Sequence, residues 1–434
     1  MGFAVRRTSR SYVRPSAATP SGSLELSAVD RLLGHRFMVR SLHVFAHRHE
    51  PLPGGEHPPP PRVVIREALG KALVDYYPFA GRLVDGPKGP ATARVECTGE
   101  GAWFVDAVAG GTLQDAGLLD KRPFAVPEAD LLPDAAPGVD PRDIPLMMQV
   151  TEFACGGFVV GLMSSHAMTD GLGAGQFLNA VADYARGLPK PRVTPVWARE
   201  LVPSLPEVSS PPAVPWALRF RYLTVDLSRD GVDKVKSRIM ASTGQRCSTF
   251  DVVVAKVWQA RTRALRLPDP STRVTLTIFA NARHLLPKDG AGAGAAGFYG
   301  NCYYPATAAA RSGEVEAADV ASVVRMVREA KARLPGEVAR WAAGGLAREE
   351  NPFYEPPIAH EALFVSEWTR LGFAEVDYGW GTPSHVVPFA AIPCMPVALI
   401  GAPPAPGTGV RITTQCVEEE SMPAFREEME AFEK

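Results

Sequence analysis

The stretch Ser164-Ser165-His166-Ala167-Met168-Thr169-Asp170-Gly171 places a histidine and an aspartate four residues apart, directly after an apolar run. That run, residues 157–163, is short and partly β-branched, which predicts a buried strand. From residue 174 to residue 184 apolar side chains recur at helical spacing, which predicts a helix. His166 would therefore lie at a strand-to-helix turn, where a neutral imidazole can accept a proton from an alcohol or amine and return it to a leaving group.

Other interpretations of this motif exist. Most histidines in such a pattern are structural residues with satisfied hydrogen bonds. Metal binding is a second interpretation, because side chains at i and i+4 share a helix face, but a site needs a third protein ligand and no further pair has ligand spacing. Ser164 or Ser165 could also be a nucleophile beside His166. Adjacent strand residues point to opposite faces, which argues against Ser165.

A second motif, Asp377-Tyr378-Gly379-Trp380-Gly381, lies near the other end of the chain. Together the two motifs resemble the signatures of the BAHD acyltransferases of plants, with Tyr378 where that family usually has Phe. Further matches follow in the family's order, so that the resemblance covers nearly the whole chain: residues 77–82, 248–251, 281–283 and 298–301. The resemblance implies an α/β fold of two chloramphenicol-acetyltransferase-like domains with a substrate channel at their interface. It also implies acyl-CoA as co-substrate and no bound cofactor.

Length and charge agree with this interpretation. A chain of 434 residues exceeds a usual single core and predicts two domains. A formal net charge of −1 gives no basic field for nucleic acid, and no apolar run approaches the roughly 20 residues of a membrane span. The six cysteines are scattered without a C-x-x-C pair, which is typical of reduced thiols. We therefore expect a cytoplasmic monomer with no membrane insertion.

The domain boundary is predicted from proline content. Eight prolines occur between residues 189 and 215, which indicates an extended crossover. The predicted division is an N-terminal acyltransferase domain at 1–188, the crossover at 189–215 and a C-terminal acyltransferase domain at 216–434. Loops are predicted at 51–61 and 289–294. The pattern predicts helices at 64–76, 249–265 and 318–334, and strands at 274–280 and 396–400.

The resemblance implies a role for each residue of the two motifs. His166 would be the general base that deprotonates the acceptor, which then attacks the thioester carbonyl directly in a ternary complex. Asp170 would point away from the channel and pair with Arg283 to hold the turn. The later motif would be structural through Asp377, Gly379, Trp380 and Gly381. Ser366 matches a hydroxyl residue that points at the reacting carbonyl, and it could stabilise the oxyanion.

Contacts to acyl-CoA are carried over from two matching segments. Ser248 and Thr249 open a predicted helix whose free N–H groups could meet an anion or a pantetheine carbonyl, with either residue as the cap. The second segment lies near the same channel and consists of Tyr299, Gly300 and Asn301. Lys256 and Arg261 are candidate phosphate partners by charge alone.

The substrates are predicted from the N-terminal residues, which resemble those of grass p-coumaroyl-CoA monolignol transferases. Ser41 and His43 match channel-lining positions, Trp368 would line the acyl or acceptor pocket, and Phe353 replaces an arginine that binds a substrate carboxylate in shikimate-accepting relatives. The expected acceptor is therefore a neutral aromatic alcohol, with a monolignol as the leading candidate, and the expected acyl group is hydroxycinnamoyl, with p-coumaroyl as the leading candidate. An N-acyltransferase acting on a polyamine or aromatic amine is the alternative, and a non-catalytic binding partner is a third.

Overall fold

The computed structural model describes residues 4–32, 37–46, 59–206, 215–286, 296–347, 351–355, 357–390 and 392–431. The strands in these ranges are β1 (Val5–Val13), β2 (Ser23–Glu25), β3 (Met38–Phe45), β4 (Arg82–Gly86), β5 (Gly89–Glu96), β6 (Ala102–Ala109), β7 (Leu146–Glu152), β8 (Phe158–Ser165), β9 (Arg221–Ser228), β10 (Arg273–Asn281), β11 (Tyr303–Arg311), β12 (Ala362–Glu367), β13 (His385–Pro388), β14 (Val397–Gly401) and β15 (Gly409–Val417). The helices are α1 (Pro61–Asp75), α2 (Glu128–Leu131), α3 (Gly171–Ala185), α4 (Arg229–Thr243), α5 (Thr249–Leu265), α6 (Ser312–Ala317), α7 (Val320–Ala342) and α8 (Met422–Glu430).

The N-terminal sheet has the strand order β1-β6-β7-β8-β3-β13. Only the β6–β7 pair in this sheet is parallel. Strand β8 is the predicted apolar strand, and it lies between β7 and β3 with both faces buried. Helices α1 and α3 cover one face, where Phe158, Val160 and Leu162 of β8 join their apolar residues in one cluster. The continuous apolar run is thus explained by burial on both sides of the sheet.

The C-terminal sheet has the order β11-β10-β12-β14-β15-β9. Its central strands β10, β12 and β14 run parallel, and its remaining pairs are antiparallel. The apolar faces of α4, α5, α7 and α8 pack on this sheet in a second cluster. A separate small sheet has the order β2-β5-β4. The described fold is therefore α/β with two large sheets, one in each half of the chain.

One strand crosses between the halves. Strand β13 comes from the C-terminal half, yet it pairs antiparallel with β3 at the edge of the N-terminal sheet. Phe373, Val376, Tyr378 and Trp380 precede it and belong to the N-terminal apolar cluster. The linear division into 1–188 and 216–434 stays a prediction, but it does not account for this segment.

Part of the predicted crossover also forms backbone contacts with the C-terminal half and regular structure of its own. Val196 forms an isolated parallel bridge with Phe298, and Arg199–Leu201 forms a 3₁₀ turn. Residues 207–214 of the predicted crossover lie outside the described residues, as do the predicted loop residues 51–58 and 289–294. Among the helices that the structure describes, none is long and apolar enough to cross a membrane.

Candidate active site

His166 follows the last residue of β8 and continues the pairing of that strand with β3. Its N–H donates to the carbonyl of Phe37 at 3.1 Å, and the rings of the two residues meet edge to face at 5.3 Å. Burial lowers the pKa of His166 below its ordinary 6.5, although the carboxylates of Asp170 and Asp30 oppose this effect. The imidazole is therefore neutral near pH 7 and able to accept a proton.

Asp170 is a structural anchor for the turn that follows His166. It is the N-cap of α3, and its Oδ1 accepts the N–H of Gly173 at 3.0 Å. Arg283 donates to both carboxylate oxygens at 2.7 and 2.8 Å, and the N–H of Cys302 donates to Oδ2 at 3.0 Å. Burial opposes ionisation, but these donors lower the pKa of Asp170. The geometry agrees with the predicted structural pairing with Arg283.

Three glycines at the start of α3 allow other segments to approach this turn closely. A Cβ on Gly173 would lie 2.0 Å from the carbonyl oxygen of Tyr299, and one on Gly175 would lie 1.7 Å from that of Leu371. A Cβ on Gly171 would lie 2.5 Å from the Leu371 side chain. Close backbone approach therefore requires glycine at positions 173 and 175, whereas a Cβ at position 171 would meet only a side chain.

A second carboxylate, which sequence reasoning missed, lies near the same turn. Asp30 accepts the N–H and the Nδ2 of Asn301 at 3.1 and 2.7 Å, and its Oδ2 pairs with Arg199 Nε at 2.9 Å. Asn301 Nδ2 also donates to the carbonyl of His166 at 2.7 Å. The reciprocal bonds between Ser27 and Asp30 follow an S-x-x-D pattern that could have indicated a turn there, whereas nothing local indicates Arg199.

The serines that precede His166 lie on opposite faces of β8. Ser164 pairs with Val39 and Ser165 pairs with Met38, so that His166 continues the register opposite Phe37. Because faces alternate, Ser164 shares the face of His166 and Ser165 points to the other side. Both serines are buried. This placement agrees with the expectation that Ser165 faces away from the imidazole.

The Asp377–Gly381 motif lies far from His166. Asp377 Oδ1 accepts the N–H groups of Gly379 and Gly381 at 2.8 and 2.9 Å, which closes a tight turn. The Trp380 ring meets Phe158 edge to face at 5.6 Å, and Tyr378 is buried beside Phe45. Phe158 begins β8, eight residues before His166, which corresponds to roughly 25 Å along a strand. The turn therefore packs against the opposite end of the strand that carries His166.

Ser41 and His43 lie on the same face of the sheet as His166. Ser41 Oγ lies 3.0 Å from His43 Nε2, and burial lowers the pKa of His43 to about 3. The His43 ring contacts Phe373 at 5.3 Å, and Phe373 contacts Trp368 at the same distance. Each of Ser41 and His43 is only 1% exposed, so neither presents an open channel surface in this state. Their predicted lining role stays a prediction.

The residues predicted to bind acyl-CoA separate into two groups. Ser248 is the N-cap of α5 and forms a reciprocal capping box with Asp251, so that Thr249 is the first helical residue. Tyr299, Gly300 and Asn301 are instead buried within the His166 support: Tyr299 packs on Tyr76 and Phe79, and the carbonyl of Gly300 accepts from Arg283 at 2.6 Å. The cap is confirmed, while the contacts to acyl-CoA stay predictions.

Four further candidates lie in the C-terminal half of the chain. Lys256 is buried and pairs with Glu428 at 3.4 Å, and buried Arg261 donates to the carbonyl of Cys416 at 2.7 Å. Both cations are therefore engaged within the fold, which argues against the suggested contacts with phosphate. Phe353 packs on Trp341 at 5.4 Å and on Tyr303 and Tyr304 at 5.8 Å. Ser366 lies in β12 and is partly exposed.

Comparison with known proteins identifies the family to which this α/β chain belongs. A family model described as "Transferase family" matches residues 3–432. The chain is 62% identical to "Acyl transferase 4" of Oryza sativa subsp. japonica over all of both chains. It is 38% identical, again over all of both chains, to "Myricetin 3-O-glucosyl 1,2-rhamnoside 6'-O-caffeoyltransferase AT2" of Crocosmia x crocosmiiflora. The chain belongs to this transferase family, the BAHD acyltransferases, which use acyl-CoA as co-substrate.

Solved structures confirm the predicted fold class. The chain is similar to vinorine synthase with a TM-score of 0.74 at 21% identity, covering 99% of this chain and 100% of that chain. It is also similar to F. graminearum TRI101, solved with coenzyme A and deoxynivalenol, with a TM-score of 0.67 at 14% identity, covering 93% of this chain and 96% of that chain. The two-domain α/β architecture is thus shared over nearly the full length of each of these proteins.

Proposed function

We propose that this enzyme transfers a hydroxycinnamoyl group, p-coumaroyl in the leading case, from its CoA thioester to the hydroxyl of an aromatic alcohol such as a monolignol. His166 acts as the general base. The activated hydroxyl attacks the thioester carbonyl while both substrates are bound, and the coenzyme A thiolate leaves and takes up the proton. A positioned base contributes on the order of 10²–10⁴-fold to such a reaction, because an alcohol is a poor nucleophile at neutral pH.

The state of His166 is the observation that supports this chemistry most directly. Burial lowers its pKa, so that the ring is neutral at the pH where a base is needed. The four donors to the Asp170 carboxylate come from Arg283, Gly173 and Cys302. Asp170 is therefore engaged in holding the turn, which supports a single general base without a triad.

The partly exposed Trp368 and the residues packed behind it favour a neutral aromatic acceptor over a polyamine. The row that leads from Ser41 through His43 and Phe373 to Trp368 contains no carboxylate, and the pKa of His43 keeps that ring uncharged. A polyamine would require a carboxylate to pair with its cation. The caffeoyltransferase named among the relatives supports a hydroxycinnamoyl donor.

Two further roles belong to the same proposal. Ser366 at the end of β12 donates a hydrogen bond to the tetrahedral oxyanion, and the α5 N-terminus at Ser248 and Thr249 meets the pantetheine arm. Ser366 is partly exposed and directly precedes the Glu367–Trp368 segment, whose tryptophan contacts Phe373. This connection supports placing the acyl group between the two halves of the chain.

Thiol release measured with purified protein tests the proposal. The protein is incubated with p-coumaroyl-CoA and, in separate reactions, coniferyl alcohol, spermidine, tyramine or no acceptor, and the products are identified by mass. We expect release that depends on the alcohol and yields the ester. Amide formation with spermidine or tyramine in place of the ester would contradict the alcohol assignment, and no release with any acceptor would contradict the donor assignment.

A further inference from the structure

The Asp30–Arg199 ion pair lies beside the His166 turn and is as deeply buried as any in the described chain. The side chains of Arg199 and Asp30 are 1% and 0% exposed, and Arg199 Nε lies 2.9 Å from Asp30 Oδ2. The guanidinium also donates to the carbonyl of Met168, two residues after His166, and packs on the ring of Trp197 at 4.2 Å. A buried pair of this kind is stable only where its remaining hydrogen bonds are satisfied.

Asn301 connects this pair to the main chain of His166. Its side chain is fully buried, and the two hydrogens of Nδ2 serve two acceptors: Asp30 Oδ1 at 2.7 Å and the His166 carbonyl at 2.7 Å. Its N–H also donates to Asp30 Oδ1 at 3.1 Å. The side chain is thereby oriented by a carboxylate that Arg199 holds in place.

The residue after Asn301 forms its hydrogen bond with Asp170 and not with Asp30. Cys302 donates its N–H to Asp170 Oδ2 at 3.0 Å, while Asn301 turns to Asp30. The Asp170–Arg283 pair therefore fixes the start of α3. The Asp30–Arg199 pair acts through Asn301, which binds the carbonyl of His166. The two ion pairs act on different parts of one turn.

The main chain of His166 is consequently fixed at both of its polar groups. Its N–H is bound by Phe37 and its carbonyl by Asn301. With the Phe37 ring packed edge to face with the imidazole, little freedom remains for the direction of the base. Catalytic groups must be held within about 0.5 Å of productive geometry, and a misplacement of about 1 Å can cost on the order of 10²-fold in rate.

We propose that Asn301, oriented by the Asp30–Arg199 pair, is a positioning residue for the base His166, in a role separate from that of Asp170 and Arg283. This inference rests on the proposed function, since it requires His166 to be the general base. It assigns Asn301 to the support of the imidazole in place of the acyl-CoA contact that the sequence suggested.

Asn301→Ala tests the inference against a matched control in the C-terminal half. Gln259 is a similarly buried amide whose Nε2 donates to the carbonyls of Val315 and Ala318 at 3.0 and 2.8 Å. For Asn301→Ala we expect kcat to fall by about 10–100-fold with KM for p-coumaroyl-CoA changed by less than about threefold. Gln259→Ala should lower the melting temperature while kcat stays within about twofold.

A double variant distinguishes positioning from general loss of structure. If Asn301 acts through His166, adding Asn301→Ala to His166→Ala should leave the residual activity unchanged, whereas a purely structural role would reduce it further. Asn301→Ser retains one donor and serves if the alanine variant does not fold; its kcat should lie between those of the parent and Asn301→Ala. Parental kcat in both Asn301 variants, or an undiminished effect in the His166→Ala background, would overturn the inference. Full activity in His166→Ala alone would instead overturn the proposed function.

Discussion

At the scale of the residue, the most informative side chain beside the base is an aspartate that serves the fold. A histidine and an aspartate four residues apart invite the interpretation of a catalytic triad. The carboxylate of Asp170 instead accepts from Arg283, Gly173 and Cys302. The motif spacing predicted the turn. The spacing alone could not predict that Asp170 pairs with Arg283, which lies 113 residues further along the chain. The family resemblance supplied that partner.

Removing one member of the Asp170–Arg283 pair should destabilise the protein. We expect Asp170→Ala and Arg283→Ala each to lower the free energy of unfolding by about 3–5 kcal/mol, because each leaves an uncompensated buried charge. Asp233→Ala, which breaks an exposed pair with Lys236, should change it by less than about 1 kcal/mol. Denaturant unfolding measures all three variants. Parental stability in both Asp170→Ala and Arg283→Ala, together with a collapse of kcat, would make the pair catalytic.

The acid limb of activity should report the lowered pKa of His166. The base works only when neutral, so kcat/KM should fall as the pH drops through its pKa, with a midpoint below 6.5. Stability also falls there, because below pH 6.5 the unfolded chain binds a proton that the folded chain excludes. Rates over pH 4.5–8, corrected for the folded fraction by circular dichroism, measure the midpoint. An acid limb centred above 6.5 would contradict the lowered pKa of the base.

At the scale of the element, local signals predicted one helix fully and another only in part. The predicted helix at 249–265 is α5, because Ser248 and Asp251 form a capping box that is visible in the sequence. The helix predicted at 318–334 is longer in the structure, because α7 continues through Pro335 to Ala342. Its first turns pack in the C-terminal core, while Leu334, Val338 and Trp341 pack in another cluster. Tertiary burial there outweighs the cost of proline.

The glycines of α3 provide a test at the same scale. Gly175→Ala should reduce the free energy of unfolding by about 1–3 kcal/mol or more, since its Cβ would lie 1.7 Å from a carbonyl oxygen that belongs to another segment. Gly336→Ala in α7 is the matched control, because no atom lies within 4 Å of its new Cβ and alanine favours a helix by about 1 kcal/mol. Thermal unfolding compares the two. Equal stability of both variants would mean that the packing of α3 is looser than described.

At the scale of the whole molecule, a segment from the second half of the chain adds a strand and core residues to the N-terminal sheet. Strand β13 and the preceding Tyr378 and Trp380 belong to the N-terminal sheet and core. Periodicity and turn signals describe neighbouring residues, so they predicted individual strands and helices but not this exchange. The same limit applies to Asp30, Arg199 and Asn301. They lie far apart in sequence and come into contact only in the folded chain, next to the His166 turn.

The two-domain arrangement bears on how the acyl group moves. Because both substrates are expected to meet at His166, we predict intersecting initial-rate lines when p-coumaroyl-CoA and coniferyl alcohol are varied together. The protein should also gain no mass after incubation with the donor alone. Ser165 points away from the imidazole and Ser164 is buried, which supports transfer without an acyl-enzyme. Parallel lines with a coumaroyl adduct on a serine would show a covalent intermediate.

The central claim is that His166 is the base in acyl transfer, and kcat of His166→Ala tests it most directly. The variant should keep the melting temperature of the parent within a few degrees, because the anchors of the turn belong to the main chain, Asp170 and Asn301. With p-coumaroyl-CoA and coniferyl alcohol at saturating concentrations, we expect kcat to fall by about 10²–10⁴-fold. A folded variant that keeps more than about a tenth of the parental kcat would contradict general-base catalysis by His166.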